Sequence, residues 1–213
     1  MSTIAAQLHG LDSPHAVPQA WTKPSAPPPK RLTMDEAVEL AEGRPFELID
    51  GRMVFKMPDD KHSDTQSLLC THLGIYFLKQ PLGRVRTEFE HRLWPDNPYE
   101  GRLPDLSVIL NENFKRDERY ATRAPDLAIE IVSSDDRWTK LYEKAELYLA
   151  KGSRVVWIVD PYRQGVMIIT ANEQRWENER LTCPELLPGL SLSMADIFNW
   201  PENSEDATEK AAS

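Results

Sequence analysis

Two acidic residues and one lysine of this chain lie in or next to apolar stretches of sequence, where charged side chains are not expected. Glu130 lies inside the apolar stretch APDLAIEIVSS (124–134), and Asp105 lies directly before the apolar stretch LSVIL. Lys144 has apolar neighbours three and four residues away along a predicted helix. A lone charge among apolar side chains is costly unless an opposite charge pairs with it. Two carboxylates and a lysine could hold a cation such as Mg²⁺ and stabilise the charge that develops during phosphodiester hydrolysis.

The alternation of side chains along a strand predicts that the two acids converge. Glu130 shares one face of its strand with Val132, whereas the opposite face is fully apolar. Asp105 likewise precedes a strand with one fully apolar face and lies on the other face. If the two strands are neighbours, Asp105 and Glu130 meet. The helix that carries Lys144 follows the Glu130 strand after a short link, so we expect it to cover the same part of the sheet.

The elements that would position these residues form one mixed domain. Thr33 and Glu36 form a capping-box pattern for a short helix, Asp50-Gly51 predicts a hairpin turn, and a helical repeat of apolar residues runs over 60–79. The remaining elements are, in chain order, strands within 83–94, 102–110 and 124–134, a helix within 136–152, strands within 153–161, 165–173 and 174–183, and a short helix at 194–199. This order predicts an α/β (α+β) domain around one mixed β-sheet.

Length and composition set limits on the function. The chain has 213 residues, of which 40% are hydrophobic and 28% are charged, as in an ordinary soluble globular protein. We expect a disordered Pro-rich tail at 1–31, a folded domain at 32–200 and a disordered acidic tail at 201–213. The net charge of −9 argues against a protein that coats nucleic acid, but it does not exclude an enzyme with a local basic patch.

The sequence also predicts where the protein works. Its two cysteines, Cys70 and Cys183, are far apart and lack metal-ligand spacing, which favours reduced thiols in the cytoplasm. We expect no secretory signal, and no apolar run reaches the roughly 18 residues that a membrane helix needs. We also find no helix-turn-helix or zinc-finger signature that would indicate a separate DNA-reading domain.

Several motifs follow one another in an order that resembles a known family. These motifs are FELIDG (46–51), KHSDTQSLL (61–69), LPDLSVI (103–109), PDLAIEIVSS (125–134), EKAELYLAKG (143–152), WIVDP (157–161) and LPGLSL (187–192). Each motif alone is a weak signal, but the combination is specific. It resembles the Uma-type family of predicted restriction-endonuclease-like proteins, which occurs in cyanobacteria and other bacteria and belongs to the PD-(D/E)XK nuclease superfamily.

The resemblance implies a fold and a set of site residues. The fold is a restriction-endonuclease-like core, in which helices flank a mixed sheet and the site lies at one sheet edge. Asp105 and Glu130 are implied as ligands of Mg²⁺ or Mn²⁺, and Glu47 as a third acid near the site. His62 is implied as a residue that could assist with water or phosphate.

One departure from the superfamily pattern concerns its lysine. The superfamily places a lysine two residues after the glutamate, and that position is Val132 here. The Uma-type pattern places the lysine on the following helix, where Lys144 fits it. Lys140, one turn earlier, is the second candidate.

Simpler interpretations remain open for each of these residues. Glu130 and Lys144 could form a buried ion pair that serves only the fold. Asp105 could be a turn residue, and His62 could simply begin a helix. The mostly basic stretch 115–123 could contact phosphates, although a solvated loop is the simpler interpretation. The six tryptophans indicate packing rather than a surface for stacking bases.

Two functions therefore stand beside each other. The first is a metal-dependent endonuclease that hydrolyses nucleic acid, taken to be DNA, with a homodimer as a means of cutting both strands. The second is a module with the same fold that binds a partner without catalysis, which the displaced lysine and the acidic composition favour. The Glu130→Ala variant should abolish cleavage without unfolding the domain if the first is correct, and calorimetry with Mg²⁺ and Mn²⁺ separates the two.

Overall fold

The computed structural model describes residues 30–199. The tails predicted from the sequence lie outside this range, except for residues 30 and 31. In chain order the elements are α1 (Met34–Ala41), β1 (Phe46–Ile49), β2 (Arg52–Phe55), α2 (Asp60–Lys79), β3 (Gly83–Thr87), β4 (Leu106–Leu110), a 3₁₀ turn (Asn111–Asn113), β5 (Leu127–Ile131), α3 (Trp138–Ala150), β6 (Val155–Asp160), β7 (Gly165–Thr170), β8 (Gln174–Glu177), β9 (Arg180–Cys183), β10 (Leu187–Ser193) and α4 (Met194–Phe198).

A six-stranded sheet in the order β3-β4-β5-β6-β7-β8 forms the centre of the domain. β5 and β6 are parallel and are joined through α3, whereas all other neighbours in this sheet are antiparallel. Two small antiparallel pairs, β1-β2 and β9-β10, stand beside it. The predicted fold class, a mixed sheet flanked by helices, is confirmed.

The two faces of the central sheet pack against different helices. Leu106, Ile129 and other residues of one face form an apolar cluster with α2 and α4. Ala128, Val132 and other residues of the opposite face form a second cluster with α3. This separation follows from the alternation of side chains along β4 and β5. It leaves the acid-bearing face of β5 beneath α3, where the sequence predicts the site.

Local signals account for most element boundaries. Thr33 and Glu36 form the predicted capping box at the start of α1, and the Asp50-Gly51 turn joins β1 to β2. The strand predicted over 83–94 ends at Thr87, because Glu88 adopts a left-handed backbone conformation with a φ angle of 44°.

The strand predicted over 174–183 divides into two. β8 belongs to the central sheet, whereas β9 pairs with β10, a strand that the sequence did not predict. Between residues 30 and 199, no helix combines the length and the apolar character needed to cross a bilayer.

Candidate active site

The pairing of β4 with β5 brings the two predicted acids together. Leu106 lies opposite Ile129, and continuing this antiparallel register by one residue sets Asp105 opposite Glu130. Both acids are buried, each with 2% of its surface exposed. Asp105 Oδ2 also accepts a hydrogen bond from the Ile131 amide over 2.6 Å. The side chain of Asp105 is thus held against the strand that carries Glu130.

Lys144 reaches this pair from α3. Its Nζ lies 3.0 Å from Glu130 Oε2 and 2.9 Å from Glu47 Oε1, so one ammonium connects two acids from different elements. Lys140, the second candidate lysine, is exposed and pairs instead with Glu143 over 2.6 Å. The structure therefore brings Glu47 and Lys144 to the site and leaves Lys140 at the rim of its pocket.

The surroundings of Glu130 explain how a carboxylate is tolerated in an apolar strand. The buried Tyr148 hydroxyl, one turn beyond Lys144, donates to Glu130 Oε1 over 2.9 Å. Each carboxylate oxygen of Glu130 consequently has a donor, as burial requires. Val132, at the position of the superfamily lysine, packs in the apolar cluster beneath α3.

Lys56 adds a second ammonium and is not among the predicted site residues. Its Nζ lies 2.7 Å from Asp105 Oδ1 and 3.8 Å from Glu130 Oε2. Glu47 pairs with Val54 across the β1-β2 hairpin, and Lys56 is two residues further along. It therefore lies on the same face as Glu47. Counting outward from the hairpin turn would have placed Lys56 on the same face as Glu47, since the turn fixes this register, but not against Asp105 and Glu130.

The first turns of α2 support Asp105 from the other side. His62 is buried, and its Nε2 lies 3.2 Å from Asp105 Oδ2. Gln66, one turn later, donates from Nε2 to the Asp105 carbonyl over 2.9 Å. Asp59 caps this helix by accepting a hydrogen bond from the His62 amide. The helix start that the sequence predicts thus also positions a histidine at the acids.

Burial and charge set the protonation of the site. Burial raises the pKa of Asp105, but Lys56 and His62 outweigh it and hold that pKa well below its usual value. Burial keeps the pKa of Glu130 above its usual value despite Lys144 and Lys56. Burial lowers the pKa of Lys56 and Lys144, but the facing carboxylates raise it by more. Both lysines therefore remain cationic.

These groups line an open pocket of about 290 Å³. No group of three His, Cys, Asp or Glu side chains within the described residues is arranged to hold a metal ion. Asp105 and Glu130 nevertheless offer two carboxylates, and Mg²⁺ usually takes only one or two from a protein, with water and substrate phosphate completing its coordination. Lys56 shows that a cation is electrostatically favoured between them. The donor set therefore fits a substrate-completed magnesium or manganese site.

Comparisons with known proteins point to one group. Residues 34–195 match the model of the Uma2 family, described as "Putative restriction endonuclease". One similar solved structure is the crystal structure of "a putative nuclease belonging to DUF820" from Anabaena variabilis ATCC 29413. Its sequence is 28% identical to this chain, and the two structures superpose with a TM-score of 0.68. The match covers 79% of this chain and 98% of that chain. No curated protein matches the sequence.

Proposed function

The chain belongs to the Uma2 family, and from this premise we propose that it is a divalent-metal-dependent endonuclease that hydrolyses phosphodiester bonds in nucleic acid, specifically DNA. The observation that carries the proposal is the meeting of Asp105 and Glu130 with Lys144 and Lys56 in one open pocket. The similarity to a chain described as a "putative nuclease" supports the same reaction class. The cytoplasm, which the two cysteines favour, remains the predicted location of the protein.

In the proposed reaction, each residue of the site has a different role. A Mg²⁺ or Mn²⁺ held by Asp105 and Glu130 would polarise the phosphoryl group and lower the pKa of an attacking water. The ammonium of Lys144 stabilises the negative charge that develops on the phosphate oxygens. Glu47 fixes that ammonium through its 2.9 Å contact. His62 holds Asp105 in place and lies close enough to assist with water or phosphate.

Lys56 gives the site a second way to neutralise its acids. Its ammonium contacts both Asp105 and Glu130, so it competes with a divalent cation for the same two carboxylates. This contact also supports a second candidate function. If the lysines already satisfy the acids, the fold could serve as a binding module that takes no metal and cleaves nothing. Metal affinity separates the two functions.

Cleavage by matched variants tests the enzymatic proposal. We expect wild-type protein to cleave plasmid DNA with Mg²⁺ or Mn²⁺ but not with a chelator. Asp105→Asn and Glu130→Gln should lower the rate at least a hundredfold, which corresponds to about 3 kcal/mol of transition-state stabilisation. Asp135→Asn changes an exposed acid at the rim of the same pocket and should leave the rate unchanged. Cleavage by Glu130→Gln at the wild-type rate contradicts the proposal.

Calorimetry with Mn²⁺ tests the alternative without requiring cleavage. The enzyme should bind Mn²⁺ and lose that binding in Asp105→Asn, since one of two carboxylate ligands is removed. Thermal melting of each variant shows that the domain remains folded. An absence of Mn²⁺ binding to folded wild-type protein at millimolar metal favours the binding module.

A further inference from the structure

Two arginines lie side by side on the edge strand β3, and among the described residues neither forms an ion pair with an acid. Arg84 and Arg86 alternate along the strand, so they project from the same face. Within residues 30–199 neither guanidinium takes part in a hydrogen bond or an ion pair, and the buried Nε of Arg84 has no partner there. Glu118 acts on Arg86 only through its charge and is itself paired with Lys115.

Aromatic rings hold both guanidinium groups. The Cζ atom of Arg84 lies 3.4 Å from the ring centroid of Phe114. The Cζ atom of Arg86 lies 3.9 Å from the ring centroid of Phe89 and 5.1 Å from that of Phe114. A guanidinium stacked on a ring keeps its in-plane N–H groups available, and their geometry matches the oxygens of a phosphate. Burial and the neighbouring Arg84 lower the pKa of Arg86 and outweigh the charge of Glu118, so an anion bound beside the pair would favour the charged guanidinium.

The register of the sheet connects these arginines to the candidate active site. Arg86 lies opposite Ser107 on β4, and Arg84 lies opposite Ile109. Asp105 precedes Ser107 by two residues, so it shares the same face. Such a diagonal neighbour lies about 7–8 Å away between Cα atoms. The arginines therefore form a row that leads away from the acids along one face of the sheet.

We propose that Arg84 and Arg86 bind backbone phosphates of the nucleic-acid strand on one side of the scissile bond. This assignment rests on the proposed function, because it treats the pocket at Asp105 as the place of cleavage. A chain with net charge −9 repels a polyanion in general. Unpaired arginines next to the acids supply the local positive surface that nucleic acid needs. The aromatic side chains fix the orientation of the two guanidinium planes. This geometry favours contacts with phosphates at defined positions over a diffuse electrostatic attraction.

Binding without cleavage provides the test. Fluorescence anisotropy in a chelator would compare wild type with the double variant Arg84→Gln, Arg86→Gln on labelled single-stranded and duplex DNA of equal length. We expect the dissociation constant to rise about tenfold and the slope of log K against log salt to fall by about 2 for the duplex. The control is Arg175→Gln on the opposite edge strand β8, because Arg175 is already paired with Glu173 and Glu177 and should not affect binding.

A second pair of variants keeps the test valid if the glutamines disturb folding. Arg84→Lys with Arg86→Lys preserves both charges and should keep most of the salt slope while losing affinity, because an ammonium lacks the planar fork. Phe114→Leu should weaken binding without changing the charge. Wild-type affinity in both the glutamine and the leucine variants overturns the proposal. So does equally tight binding of wild type to polyphosphate or an acidic peptide of the same charge.

The failure of this inference can be distinguished from the failure of the proposed function. If wild type cleaves DNA and Arg84→Gln with Arg86→Gln leaves both binding and KM unchanged, only the arginine assignment fails. If no cleavage is found but the same variant still weakens binding, phosphate binding by the two arginines stands, whereas the enzymatic proposal and the placement beside a scissile bond fail. Absence of any nucleic-acid binding by wild type overturns the arginine assignment outright. With an active enzyme we expect the KM to rise and the kcat at saturation to stay near that of wild type.

Discussion

At Glu130, burial and ion pairing act in opposite directions on one carboxylate. Burial disfavours its charged form, whereas Lys144 and Lys56 favour it. Pairs of this kind contribute little net stability when intact, but removing one partner leaves the other charge buried without compensation. Lys144 also serves Glu47, so its loss would affect two acids at once. The folded state should therefore depend more on Lys144 than on an exposed lysine of the same helix.

We predict that Lys144→Met lowers the free energy of unfolding by about 3 kcal/mol, the lower end of what breaking a buried pair costs. Lys140→Met is the matched control, since its pair with Glu143 is exposed and should contribute about 0.5 kcal/mol or less. Urea denaturation at neutral pH measures both values. Equal losses in the two variants would show that the contacts of Lys144 are no stronger than those of a surface pair.

Periodic signatures along the sequence predicted Asp105, Glu130 and Lys144 as candidate site residues, whereas Glu47 and His62 were implied only by the family resemblance. Glu130 interrupts an apolar strand, and Lys144 lies on an apolar helix stripe. Lys56 has neither signature, because β2 is short and mostly exposed. Its position depends on the register of a hairpin and on how that hairpin packs, which a pattern along one strand does not reveal. Arg84 and Arg86 alternate along the sequence, but only the fold shows that neither forms an ion pair within residues 30–199.

At the scale of elements, the start of α2 connects three parts of the chain. Asp59 Oδ1 accepts a hydrogen bond from the His62 amide, and Oδ2 accepts hydrogen bonds from the Ser134 amide and the Tyr162 hydroxyl. Burial raises the pKa of Asp59, but these hydrogen bonds outweigh it and lower the pKa to about 2. The charged form of Asp59 therefore fixes the helix turn that places His62 against Asp105.

We predict that Asp59→Ala lowers the free energy of unfolding by about 1–2 kcal/mol at pH 7, through loss of the cap. The folded-state pKa is below its usual value of 3.8. The stabilisation is therefore present above about pH 4 and is lost as the pH falls toward about 2. Denaturation curves across this range should show wild type and variant converging at low pH. Asp64→Ala, an exposed position on the same helix, should show no such convergence, and a constant difference for Asp59→Ala would contradict the assignment.

The helices and the central strands were predictable from the sequence, whereas the positions at which strands end were not. The periodicity of residues 60–79 corresponds to α2 from Asp60 to Lys79. By contrast, β3 ends where Glu88 turns left-handed, and its amide then bonds to the Asp105 carbonyl. Tertiary contact with the site thus determines where that strand stops. Local propensity carries no information about such a contact.

For the whole molecule, the acidic composition and the proposed polyanionic substrate must be reconciled. With a net charge of −9, long-range electrostatics oppose approach to DNA. A local row of arginines beside the proposed metal site can still bind a strand, because phosphate contacts act over short distances under physiological screening. Such a protein should release its product readily, since little of its surface attracts nucleic acid.

We predict that double-strand cleavage requires a homodimer, because each chain offers one Asp105–Glu130 pair within the part that the structure describes. A single chain should nick supercoiled plasmid, so nicked circles dominate at low protein concentration. Linear DNA should then increase with the square of the protein concentration, in parallel with the concentration of dimer measured by sedimentation velocity. Mixing wild type with Glu130→Gln chains should restore nicking at the expense of linear product, because mixed dimers cut one strand only. Linear product that rises in proportion to protein concentration while the protein sediments as a monomer would contradict the requirement.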